Sequence, residues 1–150
     1  MLYRQSVVIP ETVRQVLEGP ALGHFVTTNA DGSPQVTCVW VGLDGDELVV
    51  GSLGVWQKIK NITRDPRVAI SFETDVRNEI GLIHHLVVYG TARVEPVGGP
   101  QLLQRLAHTY LGPDVAFPPM PNPPPGFVIR VTPNRFAGVG PWQSSGSGER

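Results

Sequence analysis

The sequence predicts a mainly β domain, an antiparallel β-barrel or sandwich with a few helices. Three observations carry that expectation. Seventeen Gly and fifteen Pro punctuate short apolar segments, as turns between strands do. After one early helical pattern the apolar residues recur with period two or in short continuous runs. The links Asn29-Ala30-Asp31-Gly32 and Asp44-Gly45 are hairpin turns, too short for the crossover of a βαβ unit, so a parallel dinucleotide-binding sheet is disfavoured. With 150 residues the chain is one domain's worth, read as residues 1–142, followed by a Ser/Gly-containing tail at 143–150.

Taken in order, residues 11–18 form a first helix, with Val13, Val16 and Leu17 at helical spacing. Strands follow at 22–28, 35–43 and 47–52, rich in Val, Thr and Trp. Residues 54–64 break that rhythm. Trp56, Ile59 and Ile62 share one helical stripe, while Gln57, Lys58, Lys60, Asn61 and Arg64 are its polar remainder. Pro66 ends the helix, a strand resumes at 68–72, and a long strand spans 84–95, with Gly90 marking a bend or bulge. A third helix runs over 100–111 on Leu102, Leu103, Leu106 and Tyr110. The Pro-rich segment 117–125 is neither helix nor central strand and reads as a stiff crossing. Strands at 127–131 and 135–139 complete the domain.

Composition narrows the function. Twelve Lys+Arg against thirteen Asp+Glu leave a net charge of -1, without the basic field that nucleic-acid binding needs. The lone Cys38 excludes an internal disulfide and any Cys-rich zinc site. No apolar stretch approaches the ~20 residues of a membrane span. The N-terminus lacks the pattern of a signal peptide, so the cytoplasm is the expected compartment.

Standard catalytic motifs are missing: there is no G-x-S-x-G, no H-E-x-x-H and no phosphate-binding G-x-x-x-x-G-K-[ST]. His84 and His85 are adjacent in a strand and point to opposite faces, so they do not jointly hold a metal. The Asn61-Ile62-Thr63 sequon reads as a helical surface, the Pro-rich run as a structural crossing, and Cys38 as a small strand residue. One constellation rises above this background. A strand ends at Gly51-Ser52, a glycine-containing loop follows, and a helix then begins with Gln57, Lys58, Lys60 and Asn61 in its first turns. In outline that is an anion site, because a helix start offers unpaired N–H groups and a positive dipole end. A solvated charged face is the competing reading. Thr37 and Val39 of the neighbouring strand would lie beside this loop.

The strings Gly32-Ser33-Pro34-Gln35-Val36-Thr37, Val39-Trp40-Val41, Ser52, Gln57-Lys58, Asn61 and Arg64-Asp65-Pro66-Arg67-Val68 resemble a known pattern. It is that of the split-β-barrel flavin and deazaflavin oxidoreductases, the superfamily of pyridoxamine 5'-phosphate oxidase. The similarity covers about residues 20–142, and with Val87 to Ala92 and Gly138 to Trp142 it is closest to the actinobacterial F420-dependent branch. The resemblance implies a six-stranded antiparallel split barrel that forms a homodimer, with the cofactor ring in a cleft between subunits. Lys58 matches the phosphate-binding lysine, Ser52 a strand-end hydroxyl, and Asn61 the amide-bearing helix position. Val39, Trp40 and Val41 match the strand along the ring, and Trp56, His85 and Trp142 are candidates for the far wall, as contributions from the partner subunit. Thr37 and Gln57 stand where the oxidases themselves carry arginines; losing those bidentate contacts disfavours FMN and vitamin B6 chemistry.

The implied cofactor-binding set is therefore Gln35, Thr37, Val39, Trp40, Val41, Ser52, Gln57, Lys58, Asn61, His85 and Trp142. The implied activity is hydride transfer from reduced coenzyme F420 to a small organic acceptor of enone, quinone or tetrapyrrole type. An FMN-dependent enzyme and a non-catalytic flavin or deazaflavin carrier are the alternatives. The loops at 73–82 and 111–125 are expected to shape the acceptor side, and no residue stands out as a general acid or base.

Overall fold

The computed structural model describes residues 7–143; of the expected tail, residues 144–150 lie outside the described residues. Among the described residues there are three helices, α1 (Glu11–Leu17), α2 (Gln57–Arg64) and α3 (Gly99–Tyr110). The strands are β1 (Gly23–Thr28), β2 (Pro34–Val39), β3 (Gly42–Asp44), β4 (Glu47–Ser52), β5 (Arg67–Arg77), β6 (Ile83–Glu95) and β7 (Phe127–Val139). They form one antiparallel sheet of seven strands in the order β2-β1-β5-β6-β7-β4-β3, which corrects the six-strand expectation.

Two local events also separate the observed strands from those read along the sequence. The segment read as one strand over 35–43 is interrupted at Trp40-Val41, because the Tyr110 hydroxyl takes both backbone groups of Val41. The Val41 N–H donates to Tyr110 Oη at 3.0 Å, and that oxygen lies 3.3 Å from the Val41 carbonyl and 2.8 Å from the Ala21 carbonyl. Conversely, 127–131 and 135–139 are a single strand, carried past Pro133 by a register shift opposite Tyr89 and Gly90. A Cβ at Gly90 would sit 2.4 Å from the Thr132 carbonyl oxygen, so the bulge expected there requires glycine. The strand read at 68–72 also continues to Arg77, which converts part of the expected 73–82 loop into sheet.

The sheet is not closed by hydrogen bonds. Its two edges, β2 and β3, are nevertheless consecutive in sequence, with only Trp40 and Val41 between them. Three peptide units reach at most ~11 Å, so the sheet must curl until its edges almost meet. Phe25, Ile70, Phe72, Leu86, Val88, Leu48, Val50, Ile129 and Val131 fill the interior. Val13 and Leu17 of α1 and Ile59 and Ile62 of α2 join the same core. On β4, Leu48 and Val50 point inward while Val49 faces Leu102 and Leu106 of α3, so burial of both faces explains an unbroken apolar run. No helix among the described residues is long and apolar enough to cross a membrane.

Candidate functional site

Helix α2 closes the end of the barrel where β1 finishes. Asn61, wholly buried, is the fixing point. Its Nδ2 donates to Thr27 Oγ1 at 3.0 Å and to Asn29 Oδ1 at 2.9 Å, while its Oδ1 accepts from Gln57 Nε2 at 2.9 Å. Thr27 Oγ1 in turn donates to Gln35 Oε1 at 3.2 Å. One amide thus ties α2 to β1 and β2 and brings Gln35, Gln57 and Asn61 together. Arg64 reaches the Thr28 carbonyl and reinforces the same seam. Asn61 and Gln35 are occupied by this network, so their first role is to place the start of α2.

The loop entering α2 is shaped by Ser52, whose Oγ donates to the Gly54 carbonyl at 2.7 Å. Gly99 and Gly126 admit the Ser52 backbone. A Cβ at either would lie 2.4 or 2.3 Å from the Ser52 carbonyl oxygen, and Gly126 has φ +61°. At the helix start Trp56 occupies the N-cap position and supplies no side-chain cap. Among the described residues the N–H groups of Gln57 and Lys58 have no acceptor, the ordinary condition of a first helical turn left open.

Beside those donors sits Lys58, only 9% exposed. No carboxylate or other acceptor partners its ammonium among the described residues, and burial pushes its pKa below the ordinary lysine value. Buried cations are normally paired. A second unmet group is Thr37 Oγ1, a buried hydroxyl with no hydrogen-bond partner. Thr37 lies two residues beyond Gln35 on the same inward face of β2, about 7 Å along the strand. A largely buried, unpaired lysine at an open helix start fits a phosphate or similar anion.

The rest of the expected set is more dispersed. Val39 and Val41 are core residues. Trp40 stacks on Tyr110, with ring centroids 5.5 Å apart and planes at 15°, and packs against Phe117 at 5.1 Å. Its ring therefore anchors α3 and the Pro-rich segment to the seam. His85 and Trp142 are joined to each other, the Trp142 indole N–H donating to the His85 carbonyl at 3.2 Å. They stand at the end of the barrel where β1 begins, the end opposite to Lys58. Tyr110, Thr27 and Asn29 were missed by sequence reasoning. Tyr110 reads there as part of an apolar stripe, and only the fold discloses that its hydroxyl crosses to residue 41.

The family model for pyridoxamine 5'-phosphate oxidase matches residues 9–140. Among solved structures, one described as an F420 reductase is 29% identical, with a TM-score of 0.66 over 86% of this chain and 98% of that one. A conserved hypothetical protein from Mycobacterium tuberculosis is 20% identical, with a TM-score of 0.66 over 98% of this chain and 99% of that one. HupZ of Group A Streptococcus is 17% identical, with a TM-score of 0.62 over 93% and 100% of the two chains. The latter two speak for the fold alone. No curated protein matches the sequence. The split sheet and the residue 9–140 match together show that the chain belongs to the pyridoxamine 5'-phosphate oxidase family, a family of flavin-binding oxidoreductases.

Proposed function

We propose that this protein is an oxidoreductase that uses the deazaflavin coenzyme F420 and reduces a small or medium-sized organic acceptor. The observation that carries the proposal is Lys58, a largely buried lysine without a partner at an open helix start. When bound, the reduced coenzyme supplies a hydride. The chain's own residues hold and desolvate. Lys58 neutralises the coenzyme's phosphate, the N–H groups of Gln57 and Lys58 and the Thr37 hydroxyl donate to it, and Asn61 keeps α2 at the right height against β1. Neutral Thr37 and Gln57, where arginines would grip FMN bidentately, favour a ligand held by fewer charge-assisted bonds. The 29% identity to a protein described as an F420 reductase supports the same branch.

The working unit is proposed to be a homodimer, which sedimentation equilibrium measures directly. The function itself is tested by parallel fluorescence titrations with F420 and FMN, followed by single-turnover reaction of the reduced complex with enones and quinones. Preferential binding of F420 and acceptor-dependent reoxidation are expected. Tighter binding of FMN would overturn the coenzyme assignment, and binding with no turnover by any acceptor would make the protein a carrier.

A further inference from the structure

The chain has only two lysines, Lys58 and Lys60, and both belong to α2. They stand in opposite surroundings, so the helix carries its own control for amine chemistry. We infer that Lys58 is a covalent modification site for small phosphorylated aldehydes, whose carbonyl its amine captures as an imine while the open start of α2 holds their phosphate.

Lys58 is 9% exposed, with a buried stem and a nitrogen that keeps contact with solvent, so a small reagent reaches the amine without opening the fold. Among the described residues no acceptor partners that nitrogen, and the first turn of α2 holds no acidic residue. Burial lowers its pKa below the ordinary lysine value, and the positive end of the helix acts in the same sense. Both favour the free amine, which is the nucleophilic form. The anion half of the site is held rigidly. Asn61 ties α2 to Thr27 and Asn29, and the N–H groups of Gln57 and Lys58 have no acceptor among the described residues. An aldehyde that carries a phosphate meets both halves, since the anchored phosphate raises the effective concentration of the carbonyl at the nitrogen. The step needs no redox partner. The nitrogen lone pair attacks the carbonyl carbon, the C=O bond gives way to C=N, and the oxygen leaves as water with the two amine protons. Protonation of the imine then keeps a positive charge beside the phosphate. Lys60 projects about 200° round the helix from Lys58 and is exposed, so it offers the same amine without the site. That capture at Lys58 also excludes the coenzyme rests on the function proposed above; the capture itself does not.

The test treats the full chain with glyceraldehyde 3-phosphate and cyanoborohydride, which reduces the imine to a stable secondary amine, and reads the modified residues by peptide mass spectrometry. Lys58 is expected to react at least about tenfold faster than Lys60, the factor that one charge-assisted contact to the phosphate contributes. Glyceraldehyde without phosphate should lose that preference, and inorganic phosphate should protect Lys58 while leaving Lys60 unchanged. Lys58→Arg keeps the charge but has no primary amine, so its F420 binding should survive the treatment that abolishes binding in the parent. Equal modification of the two lysines, or the same preference with the unphosphorylated aldehyde, would overturn the proposal. The two readings also fail separately. Protection of Lys58 by phosphate but not by saturating F420 would refute the coenzyme assignment and leave the modification site standing, whereas equal modification of the lysines with tight F420 binding would do the reverse.

Discussion

Replacing Lys58 with methionine separates what the residue does for the fold from what it does for the ligand. Methionine keeps an unbranched stem of similar length and removes the charge. Lys58 is 9% exposed and unpartnered, so in the ligand-free protein the ammonium is a cost rather than a support. The stem is buried while the ammonium keeps contact with solvent, so removing the charge relieves only part of the penalty of an unsatisfied buried group. The variant should therefore be at least as stable as the parent, read as an equal or higher urea midpoint at unchanged m-value. Anion binding should move the other way. Losing a charge-assisted hydrogen bond costs about 1.5–3 kcal/mol, or roughly ten- to a hundredfold in Kd.

The pH dependence follows with its sign. Burial lowers the folded-state pKa of Lys58 below its ordinary 10.5, so in the interval between the two values the unfolded chain binds more protons. Stability consequently rises with pH across that alkaline interval, while coenzyme affinity falls as the ammonium deprotonates. Both trends should vanish in Lys58→Met. A variant that is less stable than the parent and binds F420 equally well would refute the reasoning, since the ammonium would then be paired in the fold and idle at the site.

Other consequences are as direct. Asn61→Ala strands Thr27, Asn29 and Gln57 at once, and should lose about 2–4 kcal/mol in denaturant unfolding, with coenzyme affinity falling alongside. Thr37→Val removes the orphaned hydroxyl at nearly constant shape. It should leave the ligand-free stability unchanged or raised by up to about 1 kcal/mol, and weaken F420 binding in calorimetry. Tyr110→Phe takes the acceptor from the Val41 N–H and the donor from the Ala21 carbonyl, at an expected cost of about 1–3 kcal/mol and with faster exchange of the Val41 amide. Gly126→Ala would place a Cβ 2.3 Å from the Ser52 carbonyl at positive φ. It should destabilise by about 1–3 kcal/mol and disturb the loop into α2, visible as weakened F420 binding.

Most of the fold was legible because periodicity and turn chemistry are local. The helix over 54–64 was recognisable from the Trp56, Ile59, Ile62 stripe, although its first three residues belong to the loop that Ser52 shapes. The breaks were not legible where a distant group decides them. Nothing near Trp40-Val41 announces that a tyrosine 69 positions later will claim the backbone of Val41. Likewise Pro133 reads as a strand terminator, and only its place opposite the Gly90 bulge lets β7 run through it. At the site, Lys58 and Gln57 could be picked out from their position at a helix start. That Lys58 lacks a partner could not, because an absence of neighbours is a property of the packed chain. His85 and Trp142 stand at the opposite end from Lys58 within one chain, as residues of a wall supplied across a dimer would.

The sheet order has a bearing on how the chain acquires its shape during synthesis. Strand β4 pairs only with the three-residue β3 and with β7, the last strand to leave the ribosome. Residues 42–52, with Leu48 and Val50 destined for the deepest core, therefore wait through some eighty residues of translation before their main partner exists. Such long-range closure is slow, and it leaves an apolar edge open to wrong partners meanwhile. A nascent chain stalled before residue 127 should hold β4 accessible to proteases and chaperones, and release of the final strand should be the event that shields it.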